Sequence, residues 1–317
     1  MARILDAVKG HDRLVARLLE AVASKRLAST LLFVGPSGIG KKLVARGLAQ
    51  AMLCEKTTDG CGECGSCIRI EKNQSESVLY VEPEEIQIKV EQVRSLKDFV
   101  RLKLVAKARV AIINEAHMMT PQSANSLLKV LEEPPPSTYF ILVTGQEAAM
   151  LPTLRSRSQT IRFSPLSMKV LSELSDAPEW TLAAAQGRAG RIEELKTGGE
   201  TRSQAIQGFQ ILMEGSRFDA VGFYQPLVKD KERALEFCQW WQQLIRDLWA
   251  VKLKTGELLN PDLEDRYESW SRLAPLTLEK MSVSIIQMER DILMNVDRSL
   301  LFENFWKAYS SDRRADA

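Results

Sequence analysis

Gly35-Pro-Ser-Gly-Ile-Gly-Lys-Lys42 is the segment of this 317-residue chain that indicates its fold class most directly. It follows the fingerprint G-x-x-x-x-G-K-[ST] through Lys41, but Lys42 stands where the fingerprint requires a hydroxyl. In such a loop backbone N–H groups face phosphate oxygens, the lysine reaches the phosphates, and the hydroxyl binds magnesium. We therefore predict an incomplete nucleotide site at Gly35, Ser37, Gly38, Gly40, Lys41 and Lys42.

The segments around this loop alternate between strand and helix patterns. Short apolar runs predict strands at residues 29–34, 77–81, 109–113 and 139–143. Between them, apolar residues at helical spacing predict helices, among them Val90 to Leu104 and a helix capped by Thr120 and begun by Pro121. This alternation predicts a doubly wound parallel α/β domain over residues 1–165, with its ligand crevice at the carboxyl ends of the strands.

The remainder of the chain is predicted to be all-α. Glycine and proline clusters divide it into a small helical domain, residues 166–202, and a helical bundle, residues 203–317. Trp240, Trp241 and Cys238 are interpreted as bundle core. The apolar spacing from Met281 to Tyr309 predicts one long final helix.

The apolar strand 109–113 ends in Asn114-Glu115, which forms the second half of the predicted site. Nucleotide-hydrolysing proteins place there an acid that supports magnesium and a glutamate that polarises the attacking water. Glu115 keeps the base position, but the Asn114 amide is a weaker magnesium ligand than carboxylate, and the Lys42 ammonium would repel the ion. We expect ATP or ADP to bind with weak or absent Mg²⁺ support and Glu115 to be vestigial. His117 is interpreted as a packing or turn residue.

Four of the five cysteines lie within fourteen residues: Cys54, Cys61, Cys64 and Cys67. Two C-x2-C spacings that share Cys64 can wrap one zinc ion in a tetrahedral four-sulfur site, and disulfides are the alternative. Four thiolates leave no open coordination position. We therefore predict a structural Zn²⁺ module at residues 54–67.

Composition gives weaker guidance. Lys plus Arg (43) nearly cancel Asp plus Glu (41), so any nucleic-acid contact needs a local basic patch. The candidate patch is interpreted as solvated helix surface, with a nucleic-acid face as the alternative; its residues are Lys97, Arg101, Lys103, Lys107 and Arg109. No apolar run approaches the ~20 residues of a membrane span, and we expect a cytoplasmic protein without membrane contact.

Several segments together resemble the bacterial DNA polymerase III clamp loader of the AAA+ class. They are the phosphate loop, the cysteine insertion, Asn114 to His117, Ala124-Asn-Ser-Leu-Leu-Lys-Val-Leu-Glu-Glu-Pro-Pro135, and Leu154-Arg-Ser-Arg-Ser158. The resemblance covers the first two predicted domains, and beyond about residue 205 it rests on helical character and length. It implies an AAA+ P-loop domain with a zinc-binding insertion, a helical lid domain and a C-terminal collar domain that helps to hold the assembly together.

Within this family, the gamma or tau subunits are motors with complete nucleotide sites, whereas the delta' branch has a degraded site. Lys42 and Asn114 match the delta' branch, which implies little independent ATPase activity. The resemblance implies that Arg157 reaches the ATP of a neighbouring motor subunit as an arginine finger, although Arg155 lies nearby. Arg191 matches a lid position that senses nucleotide. Implied partners are the gamma/tau and delta subunits and, through the assembly, the sliding clamp and primed DNA.

Two other functions stay open on the sequence. Intact Gly40, Lys41 and Glu115 are compatible with an active gamma/tau-like clamp-loader ATPase that tolerates Lys42 and Asn114. A zinc-stabilised DNA-binding adaptor would use Lys97 and Arg101.

Overall fold

The computed structural model describes residues 3–85, 87–102, 104, 106–197, 199–214, 223 and 230–310. The chain divides into two compact units, the first formed by residues 1–174 and 187–190, the second by residues 175–186 and 191–317. The three-domain division given above stays a prediction. Among the described residues, no helix is both long and apolar enough to cross a membrane.

A parallel sheet of five strands, counted over the described residues, lies in the first unit. The strands are β1 (Thr30–Val34), β2 (Val78–Val81), β3 (Arg109–Ile113), β4 (Thr138–Thr144) and β5 (Gln159–Arg162). Their order is β2-β3-β4-β1-β5, and every neighbouring pair is parallel. The four predicted strands are confirmed, and β1 and β3 are buried throughout, as apolar strands covered on both faces should be.

The sequence did not predict β5. Its residues, Gln-Thr-Ile-Arg, are polar for the most part and stay partly or fully exposed. It lies at the edge of the sheet beside β1, with Gln159 opposite Leu31. One side of an edge strand faces solvent or loops, so no apolar run is needed to form it.

Helices of the first unit are α1 (Asp12–Ala23), α2 (Lys41–Leu53), α3 (Gly65–Glu71), α4 (Val90–Arg101), α5 (Pro121–Glu132), α6 (Pro152–Arg155) and α7 (Met168–Leu174). The predicted cap of α5 is confirmed, because Thr120 Oγ1 accepts a hydrogen bond of 3.1 Å from the Ser123 backbone N–H. Helix α4 ends earlier than predicted. Leu104 lies beyond it and is 38% exposed.

The predicted basic patch does not form one solvated face. Arg109 is buried and donates hydrogen bonds to the carbonyl oxygens of Val100 and Leu102, which end α4. Lys107 donates a hydrogen bond of 2.7 Å to the Cys54 carbonyl oxygen. The interpretation as solvated surface is therefore wrong for Arg109, which is buried, whereas Lys107 is exposed and in addition satisfies a backbone carbonyl. Lys103 lies outside the described residues.

The second part of the chain is helical. Its helices are α8 (Glu179–Ala184), α9 (Ala189–Thr197), α10 (Gly199–Glu214), α11 (Lys231–Leu253), α12 (Glu264–Trp270), α13 (Pro275–Leu293) and α14 (Arg298–Ser310). Trp240, Trp241 and Cys238 are buried on α11, which confirms their assignment to the core. Burial, reinforced by the charge of Glu289, raises the pKa of the Cys238 thiol to about 12.

The prediction of one long final helix is wrong. Helix α13 ends at Leu293 and α14 begins at Arg298. Asn295 adopts a left-handed conformation with φ of 63°, and its backbone N–H donates to the Ile292 carbonyl oxygen. Asp297 Oδ1 then accepts from the Leu300 N–H at 3.0 Å and caps α14. Asparagine after a helix and aspartate before the next are the signals that the apolar spacing obscured.

A buried carboxylate ties α11 to the chain that follows it. Asp247 is fully buried and accepts hydrogen bonds from the backbone N–H groups of Leu259 and Asn260, each at 2.8 Å, and from the Tyr267 hydroxyl at 3.0 Å. Burial and the nearby Asp247 charge raise the pKa of Tyr267 well above its usual value, so the hydroxyl stays a donor. The connection between α11 and α12 is thereby held in place.

Candidate functional site

The glycine loop connects β1 directly to α2. β1 ends at Val34 and α2 begins at Lys41, so the loop lies at the carboxyl edge of the sheet and at a helix N-terminus. Gly38 and Gly40 have φ angles of 81° and 98°, which side-chain-bearing residues rarely adopt. The predicted strand, loop and helix arrangement is therefore present, and it has the geometry of an anion-binding loop.

Two residues that are distant in sequence contact backbone carbonyl oxygens of the loop. The Gly190 backbone N–H donates a hydrogen bond of 2.9 Å to the Gly38 carbonyl oxygen, and a Cβ on Gly190 would lie 3.0 Å from Gly38 Cα. The buried His11 ring contacts the Ile39 carbonyl oxygen through Nε2 at 2.8 Å. Because a carbonyl oxygen only accepts, this contact requires a proton on Nε2. Sequence reasoning missed both residues.

The two loop lysines have different environments. Lys41 is only 4% exposed, and its Nζ donates hydrogen bonds of 2.6 Å to the carbonyl oxygens of Gly35 and Pro36. Burial lowers the pKa of Lys41, and the negative charge of Glu115 partly opposes this shift. Lys42 is half-exposed and forms an ion pair with Glu82, just after β2. Lys41 therefore belongs to the loop interior, whereas Lys42 is directed to a neighbouring carboxylate.

Glu115 lies at the carboxyl end of β3 in a left-handed conformation, φ 46°. Its Oε2 is 3.5 Å from His117 Nδ1, and that nitrogen is 3.1 Å from the hydroxyl oxygen of Thr144, at the end of β4. His117 is therefore more than a turn residue, because it connects the predicted base position to the neighbouring strand. Thr144 was missed by the sequence analysis; it directly follows the predicted strand 139–143 and is the last residue of the observed strand.

The end of β4 also approaches the phosphate loop. Gly145 follows Thr144, and a Cβ there would lie 2.6 Å from Ser37 Oγ and 3.9 Å from Glu115 Oε2. Only glycine allows this approach without displacing Ser37. The structure thus brings Ser37, Lys41 and Glu115 together at the carboxyl edge of the sheet, where the sequence predicted the crevice.

Arg157 lies between α6 and β5 on the surface of the first unit, with 34% of its side chain exposed. Its guanidinium contacts Glu132 Oε1 through Nε at 2.8 Å and Nη2 at 2.5 Å, and its Nη1 donates to the Thr153 carbonyl oxygen at 3.1 Å. Arg155, the alternative finger, is also exposed. Arg157 is held in one orientation by several acceptors.

The four predicted ligand cysteines form one cluster. Their Sγ atoms all lie within 4.8 Å of one another, with Cys54 to Cys64 at 4.0 Å and Cys61 to Cys67 at 3.9 Å. A tetrahedral ion with bonds of about 2.3 Å would place its sulfurs roughly 3.8 Å apart, whereas a disulfide needs about 2.05 Å. The cysteines are free, and the cluster could hold one metal ion.

Backbone N–H groups face the sulfurs, as a thiolate site requires. The Thr57 N–H lies 3.3 Å and the Cys61 N–H 3.4 Å from Cys54 Sγ, and the Cys64 N–H lies 3.3 Å from Cys61 Sγ. Burial acts to raise the pKa of Cys54, but these and further hydrogen bonds prevail and lower it to about 5. The hydrogen bonds that Cys54 accepts therefore favour its deprotonated, metal-binding form, whereas burial raises the pKa of Cys67.

Contacts of Gln50 and Lys107 anchor this cluster to the rest of the unit. Gln50 is fully buried; its Oε1 accepts a hydrogen bond of 2.9 Å from the Ile4 N–H, and its Nε2 donates to the Cys67 carbonyl oxygen at 3.3 Å. Lys107 contacts the Cys54 carbonyl oxygen, as described above. Sequence reasoning missed Gln50 and placed Lys107 on a charged face.

Known proteins identify the family. The family described as DNA polymerase III, delta subunit, matches residues 10–167. The DNA polymerase III subunit delta' of Bacillus subtilis is 36% identical over 263 residues, which cover 78% of this chain and 80% of that protein. The chain belongs to the delta' family of clamp-loader subunits. The delta' subunit of Pseudomonas aeruginosa is 31% identical over 203 residues, or 59% of this chain and 62% of that protein.

The gamma/tau relatives match this delta' family member over a shorter stretch. DNA polymerase III subunit gamma/tau of Mycobacterium tuberculosis is 36% identical over 171 residues, which cover 53% of this chain and 30% of that protein. Among solved structures, a DNA polymerase III gamma subunit-related protein from Thermotoga maritima has a TM-score of 0.54 at 14% identity, covering 93% of this chain and 98% of that one. The predicted AAA+ fold is confirmed.

One predicted site residue of this delta' family member lies outside the first unit. Arg191 is partly buried on α9, in the second unit, and its role as a nucleotide sensor stays a prediction. The loop residues, Glu115, Arg157 and the four cysteines all lie in the first unit.

Proposed function

We propose that this delta' family member is a non-motor subunit of the DNA polymerase III clamp loader, which helps to load the sliding clamp onto primed DNA and hydrolyses little ATP itself. The observation that carries the proposal is Lys42, which stands at the sequence position of the magnesium-binding hydroxyl and whose ammonium pairs with Glu82. A cation at that point opposes Mg²⁺ binding, and the Asn114 amide supplies no charge to compensate. The geometry of the loop and the position of Lys41 are still suited to binding phosphate.

A double substitution tests the proposed loss of magnesium support. Lys42→Thr combined with Asn114→Asp should raise the Mg²⁺-dependent affinity of the isolated chain for ATP by about tenfold, because it removes a repelling cation and adds a carboxylate. Titration calorimetry with and without Mg²⁺ measures this, with Lys41→Ala as the control that weakens binding under both conditions. Equal Mg²⁺ dependence in the unmodified and doubly substituted chains would contradict the proposal.

The same samples test the second candidate, an active gamma/tau-like ATPase. Lys41 and Glu115 favour it, because both keep the positions that hydrolysis uses and interact electrostatically. Steady-state turnover by the unmodified isolated chain, abolished by Lys41→Ala, would establish this alternative. ATP binding without turnover supports the non-motor function.

In this proposal the chain contributes to catalysis at the nucleotide site of a neighbouring subunit, through Arg157. Arg157 is exposed and pre-oriented, as an arginine finger acting in trans on a gamma/tau nucleotide site would need to be. Such a fixed positive charge stabilises the transferring phosphoryl group of the partner.

The cysteine cluster is proposed to hold a structural Zn²⁺. The sulfur geometry and the N–H donors fit the ion, and Cys54, Cys61, Cys64 and Cys67 fill four coordination positions. No position is then left for a substrate. When bound, the ion cross-links α2 to α3 and stabilises the connecting segment.

Assembly with gamma/tau and delta is proposed to use the helices of the 203–317 collar, with residues 166–202 as the lid. On the sequence, the apolar stripe that begins at Met281 fits subunit packing and an intramolecular bundle equally well; in the structure Met281, Ile285 and Met288 are buried, as the bundle requires. The opposite face of α13 exposes a second apolar stripe, with Leu276 60%, Val283 63% and Leu293 56% exposed. Exposed apolar side chains with polar neighbours, here Glu279 and Arg290, are proposed as the interaction surface. The assembly is proposed to act in the cytoplasm.

Val283→Asp should weaken assembly with the gamma/tau and delta subunits by ten- to a hundredfold, since it places an unpaired charge in an apolar contact. Co-purification and sedimentation with the partner subunits measure the effect. Gln239→Asp, at an exposed position of α11, is the matched control and should assemble normally. Unchanged assembly of the Val283→Asp chain would exclude this face.

A further inference from the structure

The guanidinium of Arg157 donates hydrogen bonds to Glu132 and to the Thr153 carbonyl oxygen. Glu132 Oε1 accepts from Nε and Nη2, at 2.8 and 2.5 Å, and the Thr153 carbonyl oxygen accepts one Nη1 proton at 3.1 Å. An arginine has five N–H donors in a planar fork. These contacts, together with a longer one of 3.4 Å from Nη1 to Ser156 Oγ, fix the plane of the guanidinium and leave one outer Nη2 proton without an acceptor among the described residues.

The position of Glu132 is unusual for a residue whose purpose is helix stability. It is the last residue of α5, where the helix dipole disfavours a negative charge. The ion pair with Arg157 is half-exposed, and exposed ion pairs contribute little to folding stability. A role in orienting Arg157 accounts for this placement, because a long arginine side chain otherwise samples many rotamers.

We propose that Glu132 is a positioning residue that holds Arg157 in the orientation in which it meets the neighbouring nucleotide. This inference rests on the in-trans function proposed above for Arg157. An oriented guanidinium needs no rearrangement when the partner's phosphates arrive, which is how a fixed charge gains its effect on a transition state. The opposite function, in which Glu132 competes with phosphate for Arg157, predicts a faster enzyme when Glu132 is removed.

The test uses the complete clamp loader, reconstituted from full-length chains and isolated as the assembled complex. Glu132→Ala should lower the kcat of DNA-stimulated ATP hydrolysis at the site that Arg157 faces by about tenfold, with KM for ATP unchanged. Glu132→Gln keeps an acceptor oxygen and should restore most of the rate. Glu133→Ala, the exposed neighbour, is the matched control and should leave the rate unchanged.

The double variant Glu132→Ala with Arg157→Ala separates positioning from a general structural effect. It should be no slower than Arg157→Ala alone, because Glu132 acts only through Arg157. If Arg157→Ala lowers the rate but Glu132→Ala leaves it unchanged or raises it, the positioning function is wrong. If the double variant is slower than Arg157→Ala, it is also wrong. If Arg157→Ala itself has no effect, the in-trans function fails instead.

Discussion

Replacing Arg157 with alanine is expected to slow ATP hydrolysis at the neighbouring motor site by about 10³-fold, the lower end of the range for arginine fingers. The charge that Arg157 supplies is exposed, held by Glu132 and Thr153, and lies outside the chain's own phosphate loop. In the proposed in-trans function its loss removes an interaction that is strongest in the transition state, so kcat should fall while nucleotide affinity changes little.

Single-turnover ATP hydrolysis by the reconstituted loader measures this effect. The individual motor sites are distinguished by their different hydrolysis rates. Arg155→Ala is the control, because Arg155 lies on the same exposed segment and differs in its surroundings. Assembly of both variants should match the unmodified chain, since neither residue is buried. If Arg155→Ala gives the large loss and Arg157→Ala does not, the finger is Arg155.

The central part of the fold could be predicted because each element carries its own signal. β1 and β3 are apolar after their first residues, Thr30 and Arg109, and Thr120 with Pro121 indicates the start of α5. β5 carries no such signal, since an edge strand needs little apolar sequence. The break between α13 and α14 was predictable in principle from Asn295 and Asp297, but helical apolar spacing continues across it.

The predicted site residues were those with local motifs, and the missed ones act through contacts between distant segments. Gly190 supports Gly38 across more than a hundred residues of sequence, and Gln50 joins Ile4 to Cys67. Nothing in the residues next to Gly190 or Gln50 shows these pairings. Glu132 is a partial exception, because it lies in the Leu-Glu-Glu-Pro-Pro motif, but its contact with Arg157 depends on the packing of α5 against the chain before β5.

Cys67→Ser should remove most of the bound metal and loosen the segment between α2 and α3. Structural zinc binds with an apparent free energy of roughly 12 kcal/mol, so losing one of four thiolates should cost roughly 3 kcal/mol, about 10²-fold in affinity. Cys67 is fully buried and contacts Cys61 at 3.9 Å, so a serine hydroxyl cannot simply turn to solvent. Elemental analysis of the purified chain should find one zinc in the unmodified protein.

Amide hydrogen exchange identifies the backbone segments that loss of the metal destabilises. Residues 54–71 should exchange faster in Cys67→Ser, and so should Ile4, because Gln50 connects its backbone N–H to the Cys67 carbonyl oxygen. Cys238→Ala is the control: its thiol lies in the helical unit, so zinc content and exchange of residues 54–71 should stay normal. A metal-free unmodified chain in which the amides of Thr57, Cys61 and Cys64 are protected would show that hydrogen bonds alone hold the cluster. Loss of zinc without faster exchange at Ile4 would instead show that Gln50 anchors the N-terminal segment independently of the metal.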